Sequence, residues 1–299
     1  MKPIAVVTGG AGFIGSHMVD LLLERGYAVR AIDNLRGGRK ENVSQHSSNQ
    51  SFSLEEQDIR NCKPDDAVFK GAKYVFHFAG IGDIVPSIEQ PTEYMDANVQ
   101  GTVRVLECAR AARVEKLVYA ASSSCYGLAA TPTREDHPIA PQYPYALSKY
   151  LGELAALHWH QVYGLPVNSI RIFNAYGPRV RTTGVYGAVF GVFFRQKLAG
   201  RPYTVVGDGS QTRDFLYVTD IAEAFRLAAE SPASSMAAAR SCVCSRKWCS
   251  ASAAGACSAP SASTPRCVIS TRAMPRSRSS NAPAGSCRSR GDRSRWRWR

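Results

Sequence analysis

Past Ser231 the chain contains no leucine, no phenylalanine, no tyrosine and a single acid, Asp292. Val243, Val268 and Ile269 are the only branched aliphatics there, set among serine, alanine, arginine, proline and cysteine. Such a segment cannot bury enough apolar surface to offset the entropy of ordering it, so residues 232–299 are expected to be disordered or loosely folded. The lack of acids also locates the charge. Of 37 Lys+Arg and 24 Asp+Glu in the chain, this tail holds 13 and one, so nearly all of the net +13 lies in it and residues 1–231 are close to neutral. A near-neutral body argues against nucleic acid as its partner. No apolar run approaches the ~18–20 residues needed to span a bilayer, which argues against a membrane partner. The strand-like Ile4-Ala5-Val6-Val7 begins almost at once, so no signal peptide is expected. Only Cys62, Cys108 and Cys125 fall in the body, too few and too scattered for a disulfide framework, and a reducing cytoplasm is expected. Cys242-Val243-Cys244 with Cys249 has poor spacing for zinc and no histidine nearby, so no metal is expected.

What the body does contain is alternation. Ile4–Thr8, Ala28–Asp33, Tyr74–Ala79, Lys116–Ser122 and Val167–Phe173 are short apolar runs of buried-strand type. Between them Phe13–Arg25, Thr92–Arg113 and Tyr145–Tyr163 carry helical periodicity, the first closed by Gly26 and the last by Gly164-Leu165-Pro166. Strands alternating with helices predict an α/β fold of Rossmann type, a doubly wound parallel sheet with helices on both faces. The expected organisation is a dinucleotide-binding domain over 1–180 and a small, incomplete substrate-binding region over 181–231 with a helix at Val189–Leu198. The atypical tail over 232–299 follows.

Two local patterns carry chemistry. Gly9, Gly12 and Gly15 follow the first strand and open the first helix, with Phe13 and Ile14 between them. The first glycine permits a tight turn, the second lets backbone approach a pyrophosphate, and the third lets helix pack on strand. The helix N-terminus then offers free N–H groups to phosphate. Asp33 ends the second strand, where a carboxylate can accept from ribose hydroxyls and repel a 2′-phosphate, favouring NAD over NADP; Arg36 and Arg39 nearby are the counter-argument. Asp58 and Ile59, after the third strand, are placed to reach the adenine. The second pattern is Tyr145-Ala-Leu-Ser-Lys149, which puts a phenol and an ammonium on one helix face. A neighbouring cation favours the phenolate and makes tyrosine a usable base. Upstream, Ser122-Ser123-Ser124-Cys125-Tyr126-Gly127 ends a strand with hydroxyls that can bind a reacting alcohol. His77 reads as a packed, hydrogen-bonded strand histidine, and Cys125 as packing.

These motifs resemble the extended short-chain dehydrogenase/reductases of the NAD-dependent epimerase/dehydratase family. Asn98-Val-Gln-Gly-Thr102, Arg171-Ile-Phe-Asn-Ala-Tyr-Gly-Pro-Arg179 and Gly207-Asp-Gly-Ser-Gln-Thr-Arg-Asp-Phe215 extend the likeness over about residues 3–230. It is strongest to UDP-glucose and UDP-N-acetylglucosamine 4-epimerases. The resemblance implies Ser122, Tyr145 and Lys149 as catalytic residues. It implies cofactor contacts from Asn34, Phe78, Ala79, Asn98 and Phe173 beside the glycines, and substrate contacts from Ser124, Asn174 and Arg213. It further implies a UDP-sugar substrate and a homodimer. Related 4,6-dehydratases carry an Asp-Glu pair after the catalytic hydroxyl; Ser123 and Ser124 stand there and cannot supply that acid/base pair. The expected reaction is therefore epimerisation at C4 of a UDP-hexose through a transient 4-keto sugar. The alternatives are another nucleotide-sugar reductase or decarboxylase of the family, or an impaired dinucleotide-binding protein whose basic tail, ending Trp296-Arg-Trp-Arg299, binds nucleic acid. The composition change near residues 231–237 is what a shifted reading frame in GC-rich coding DNA would produce.

Overall fold

The computed structural model describes residues 2–180, 189–205 and 213–231, and the backbone of 240–244. Its centre is a parallel sheet in the order β3–β2–β1–β4–β5–β6–β9. The strands are β1 (Ile4–Thr8), β2 (Ala28–Asp33), β3 (Phe52–Glu56), β4 (Ala72–His77), β5 (Lys116–Ser122), β6 (Val167–Ile172) and β9 (Arg240–Cys244). Two three-residue strands, β7 (Asn174–Tyr176) and β8 (Phe215–Tyr217), pair separately. The helices are α1 (Phe13–Glu24), α2 (Ile84–Glu89), α3 (Pro91–Met95), α4 (Gly101–Ala111), α5 (Pro144–Tyr163), α6 (Val189–Leu198) and α7 (Val218–Glu230).

Parallel strands covered on both faces are apolar throughout, and side chains alternate between the faces. Ala5 and Val7 of β1 join Met18, Val19 and Leu22 of α1 and Ile221 and Phe225 of α7 in one layer. Val6, between them, joins Val105 and Leu106 of α4 and Ala156 of α5 in the other. The stretch α7, assigned from sequence to the substrate region, thus packs beside α1 under the sheet. Helix α5 starts with Pro144 in its first turn and stops at Gly164, whose φ of 70° suits a left-handed cap.

One expectation is corrected. The span read as a single helix over Thr92–Arg113 is broken into α3, a π-helical turn at Asp96–Gln100, and α4. Of the tail, only Arg240–Cys244 belongs to the described residues, and its backbone pairs in parallel with β6 from Asn168↔Arg240 to Ile172↔Cys244. The remaining tail features, Cys249 and Trp296–Arg299 included, lie outside the described residues, as does most of the Gly207–Phe215 motif. Among the described residues no helix is long and apolar enough to cross a membrane.

Candidate active site

The strand order reverses direction at β1, so the loops after β1 and β4 part and leave a crevice at the carboxyl ends of the strands. A cavity of about 650 Å³ occupies it. Thr8, Asp33, His77 and Ser122 each end a strand at this edge.

At one end lies the glycine loop. Gly9 takes φ 69°. Its amide donates to the Ile32 carbonyl at 2.7 Å, and the Gly12 amide donates to the Gly9 carbonyl at 3.0 Å. A methyl on residue 15 would stand 2.0 Å from the Gly9 carbonyl oxygen, so only glycine permits this approach of helix to loop. Gly9, Gly12, Phe13, Ile14 and Gly15 all line the cavity. Asp33 is buried beside them and accepts from the Ala11 amide at 3.0 Å and the Leu35 amide at 2.8 Å. The carboxylate therefore braces the loop as well as facing the cavity. Asn34 donates to Asp58 at 2.8 Å. Arg60 forks onto the same carboxylate and holds its pKa well below the usual range. Asp58 and Ile59 line the wall next to them. Arg36, weighed as a phosphate partner, instead forks onto Glu93.

At the other end stand Ser122, Tyr145 and Lys149, with Phe78, Ala79 and Phe173 along the way. Ser122 lines the cavity beside Tyr145, close enough to lower the phenol's pKa, and its hydroxyl lies 2.8 Å from that of Ser124. Burial pushes the Tyr145 phenol up, Ser122 opposes that, and the charge of Asp83 adds to it. Burial also pulls the Lys149 ammonium down to about 8, against the support of Glu153 one turn on. The Lys149 Nζ sits 4.6 Å from the centre of the Tyr119 ring. At neutral pH, then, the lysine is mostly charged and the tyrosine holds its proton.

The structure brings fifteen of the expected site residues to one cavity and leaves four off its wall. Asn98 is buried behind it, in the π-helical turn, and accepts from the Ile81 amide at 2.7 Å while donating to the Ile81 carbonyl at 3.0 Å and to Ser148 at 2.9 Å. Ser124 reaches the site only through Ser122. Asn174 donates to the Asp214 carbonyl at 3.0 Å. Arg213 is exposed, beside residues outside the described set. The expected His77 packing is found: its ring lies between Thr8 and Thr102, at 2.6 and 3.0 Å, and burial lowers its pKa to about 3. What sequence reasoning missed is the loop Gly80–Asp83, which forms part of the wall at the tyrosine end. Its signal was a Gly-Ile-Gly-Asp run directly after a buried strand.

The donor set fits a dinucleotide. A glycine cradle without Cβ atoms, a carboxylate at the end of β2 and an open path to a tyrosine–lysine pair are joined in one cavity. Residues 5–239 match the model of the NAD dependent epimerase/dehydratase family. The chain belongs to that family. NAD is accordingly its cofactor. It is 40% identical over 224 residues to UDP-glucose 4-epimerase of Mycolicibacterium smegmatis, covering 74% of this chain and 71% of that one. It is 35% identical over 223 residues to UDP-glucuronic acid decarboxylase 1 of Arabidopsis thaliana, covering 73% of this chain and 50% of that one. Among solved structures it resembles UDP-N-acetylglucosamine 4-epimerase from Methanobrevibacter ruminantium in complex with UDP-N-acetylmuramic acid. There the TM-score is 0.76 at 33% identity, over 82% of this chain and 77% of that one. Family members thus include both epimerases and decarboxylases of UDP-sugars.

Proposed function

We propose that this protein interconverts two UDP-hexoses that differ at C4, by way of a 4-keto sugar. The observation that carries the reading is the meeting of Ser122, Tyr145 and Lys149 at the far end of the cavity that starts at the glycine loop. Tyr145 takes the proton of the 4-hydroxyl and later returns it to O4. Ser122 hydrogen-bonds both the phenol and that hydroxyl, fixing the line of transfer. The Lys149 ammonium, with bound NAD, favours the Tyr145 phenolate that must form before the 4-hydroxyl proton can be taken and that forms again when the proton returns to O4. Bound NAD supplies the hydride acceptor and donor at C4 and a positive ring that further favours the Tyr145 phenolate. The absence of carboxylates at Ser123 and Ser124 disfavours elimination across C5 and C6. Epimerisation needs the keto sugar to present its other face before the hydride returns; a decarboxylase would need a C6 carboxylate in the same place.

The test is conversion of UDP-galactose or UDP-N-acetylgalactosamine by purified full-length protein with added NAD, scored as the 4-epimer. Tyr145→Phe removes the proton carrier and is expected to lose roughly 10²–10⁴-fold in kcat. Conversion unaffected by that substitution, or none of either sugar by protein that binds NAD, refutes the reading.

A further inference from the structure

His77 is buried, ionisable and absent from the chemistry proposed above. Its partners decide where its proton sits. The Thr102 hydroxyl donates to the Asn98 carbonyl at 2.6 Å, and a carbonyl only accepts. That hydroxyl has no second proton, so at its 3.0 Å contact with His77 it accepts, and the Nε2 atom carries hydrogen. A neutral imidazole has one N–H, which leaves Nδ1 bare to accept from the Thr8 hydroxyl at 2.6 Å. Thr8 in turn accepts from the Ala79 amide at 3.3 Å. Every proton in this row points the same way, from Ala79 through Thr8, His77 and Thr102 to Asn98. Among the described residues, the ionisable groups facing the ring are the Lys149 ammonium, which opposes a second positive charge, and the Tyr119 phenol, its ring centre 5.5 Å away.

The row joins the two ends of the site. At its start, Thr8 closes β1 and Ala79 follows β4, where they meet the glycine loop: a methyl on Gly9 would stand 2.8 Å from the Ala79 nitrogen. At its end, the Asn98 carbonyl belongs to the π-helical turn. The Asn98 side chain holds both backbone groups of Ile81, at 2.7 and 3.0 Å, in the wall loop Gly80–Asp83. Tyr94 steadies the same loop by donating to the Gly82 carbonyl at 2.6 Å, and there Asp83 takes φ 84°. Asn98 also donates to Ser148, whose hydroxyl donates to the Tyr145 carbonyl at 2.9 Å. Thr8, His77, Asn98, Thr102 and Ser148 are all buried, so a lost link strands a polar atom.

We propose that His77 is a positioning residue: as the neutral Nε2–H tautomer it locks the floor of the cofactor cavity to the π-helical turn that holds the Tyr145 helix and the loop Gly80–Asp83. The sugar must meet the cofactor on one side and Tyr145 on the other, and a misplacement of about 1 Å costs about 100-fold in rate. The tautomer and the lock stand on the hydrogen bonds; the effect on turnover rests on the C4 reading above.

The test uses the full chain. Nitrogen-15 spectra of histidine-labelled protein are expected to show one ring, absent in His77→Gln, with a bare Nδ1 and a protonated Nε2 that does not titrate between about pH 5 and 8. Hydrogen exchange reads the lock. Thr102→Val keeps the side-chain shape and cuts the row. It should quicken exchange at the Ile81 amide, which donates to Asn98 and to neither His77 nor Thr102, at least tenfold more than at amides inside β5, and Thr102→Ser should restore it. If Thr102→Val does not fold, His77→Gln carries the same measurement. In turnover of UDP-galactose, Thr102→Val should lower kcat/KM roughly 10- to 100-fold with NAD affinity nearly unchanged. The opposite tautomer, a ring that titrates in that range, or exchange at Ile81 that quickens no more than in β5 overturns the proposal whatever the turnover. An active wild type whose kcat/KM survives Thr102→Val overturns the positioning role. The expected tautomer and exchange in a wild type that forms no 4-epimer uphold the lock and refute the C4 reading.

Discussion

Lys149 should weaken the fold that it serves. Its ammonium is buried in the cavity wall, and burial lowers its pKa from the free value of 10.5 to about 8. An ammonium displaced that far is destabilised in its charged form by about 3 kcal/mol, at about 1.4 kcal/mol for each tenfold change in proton affinity. Against this stands its position 4.6 Å from the Tyr119 ring centre, a contact worth about 1 kcal/mol. Lys149→Met keeps the aliphatic stem and removes the charge, so it should stabilise the protein by about 2 kcal/mol at pH 7, or a Tm rise of about 4–8 °C. The pH dependence fixes the cause. Below pH 8 lysine is protonated in both states and the penalty is whole. Between about 8 and 10.5 the unfolded chain holds the proton that the folded chain has released, so wild-type stability rises with pH relative to the variant. Urea denaturation of both proteins from pH 7 to 10.5 should show a gap that closes across that window. The same substitution should cost at least 100-fold in turnover, since the phenolate loses its counter-charge. A variant less stable than wild type at pH 7, or a gap that does not vary with pH, refutes the argument.

Further outcomes follow from the same geometry. Gly15→Ala drives a methyl to 2.0 Å from the Gly9 carbonyl oxygen, a backbone atom that cannot swing away, and should cost about 3 kcal/mol with loss of NAD binding. Gly82→Ala, which meets nothing within 4 Å, should leave the melting temperature unchanged, and thermal melts with and without NAD separate the two. Glu153→Gln leaves the buried Arg171 guanidinium, now 3.0 Å from the carboxylate, without its counter-charge and should destabilise by about 3–5 kcal/mol in denaturant titration. It also removes a charge that raises the Lys149 pKa, so the alkaline limb of the pH–rate profile should move to lower pH. Asn98→Ala strips both backbone groups of Ile81 of their partner, at about 1–3 kcal/mol each. Amide exchange at Ile81 should quicken and the KM for the sugar rise.

The parts of this site that were legible in the sequence are those whose meaning is local. Three glycines at fixed spacing between a strand and a helix, a carboxylate ending the next strand, and a tyrosine four residues before a lysine each state their geometry within one element. Residues whose role depends on what lies across the fold were harder. Asn98 carried a recognisable motif, but nothing in the motif shows that its amide braces a loop seventeen residues away. The π-helical turn that positions it adds one residue to a helix, and a periodicity count runs straight through such an insertion. Arg36 looked free to bind phosphate because Glu93, its partner, is 57 residues distant. Cys62 and Cys108 read as scattered, yet both are buried in the same core cluster. Strands β7 and β8, three residues each, are too short for any alternation to show.

Asp83 is the extreme case. Nothing in its own sequence neighbourhood calls for a positive φ, and an aspartate after a glycine ordinarily announces a turn or a helix cap. The angle comes from Asn98 and Tyr94, and those side chains are held by helices packed on α5, the helix that carries Tyr145 and Lys149. The chemistry common to the family therefore sits in motifs that a sequence displays, while the loop that walls the tyrosine end of the cavity is shaped by tertiary contacts that a motif cannot encode. Two chains could share every catalytic motif and differ in the shape of this wall. This is the physical reason that likeness to both epimerases and decarboxylases of UDP-sugars leaves the sugar open: the likeness is carried by the shared motifs, and the wall around the sugar is not.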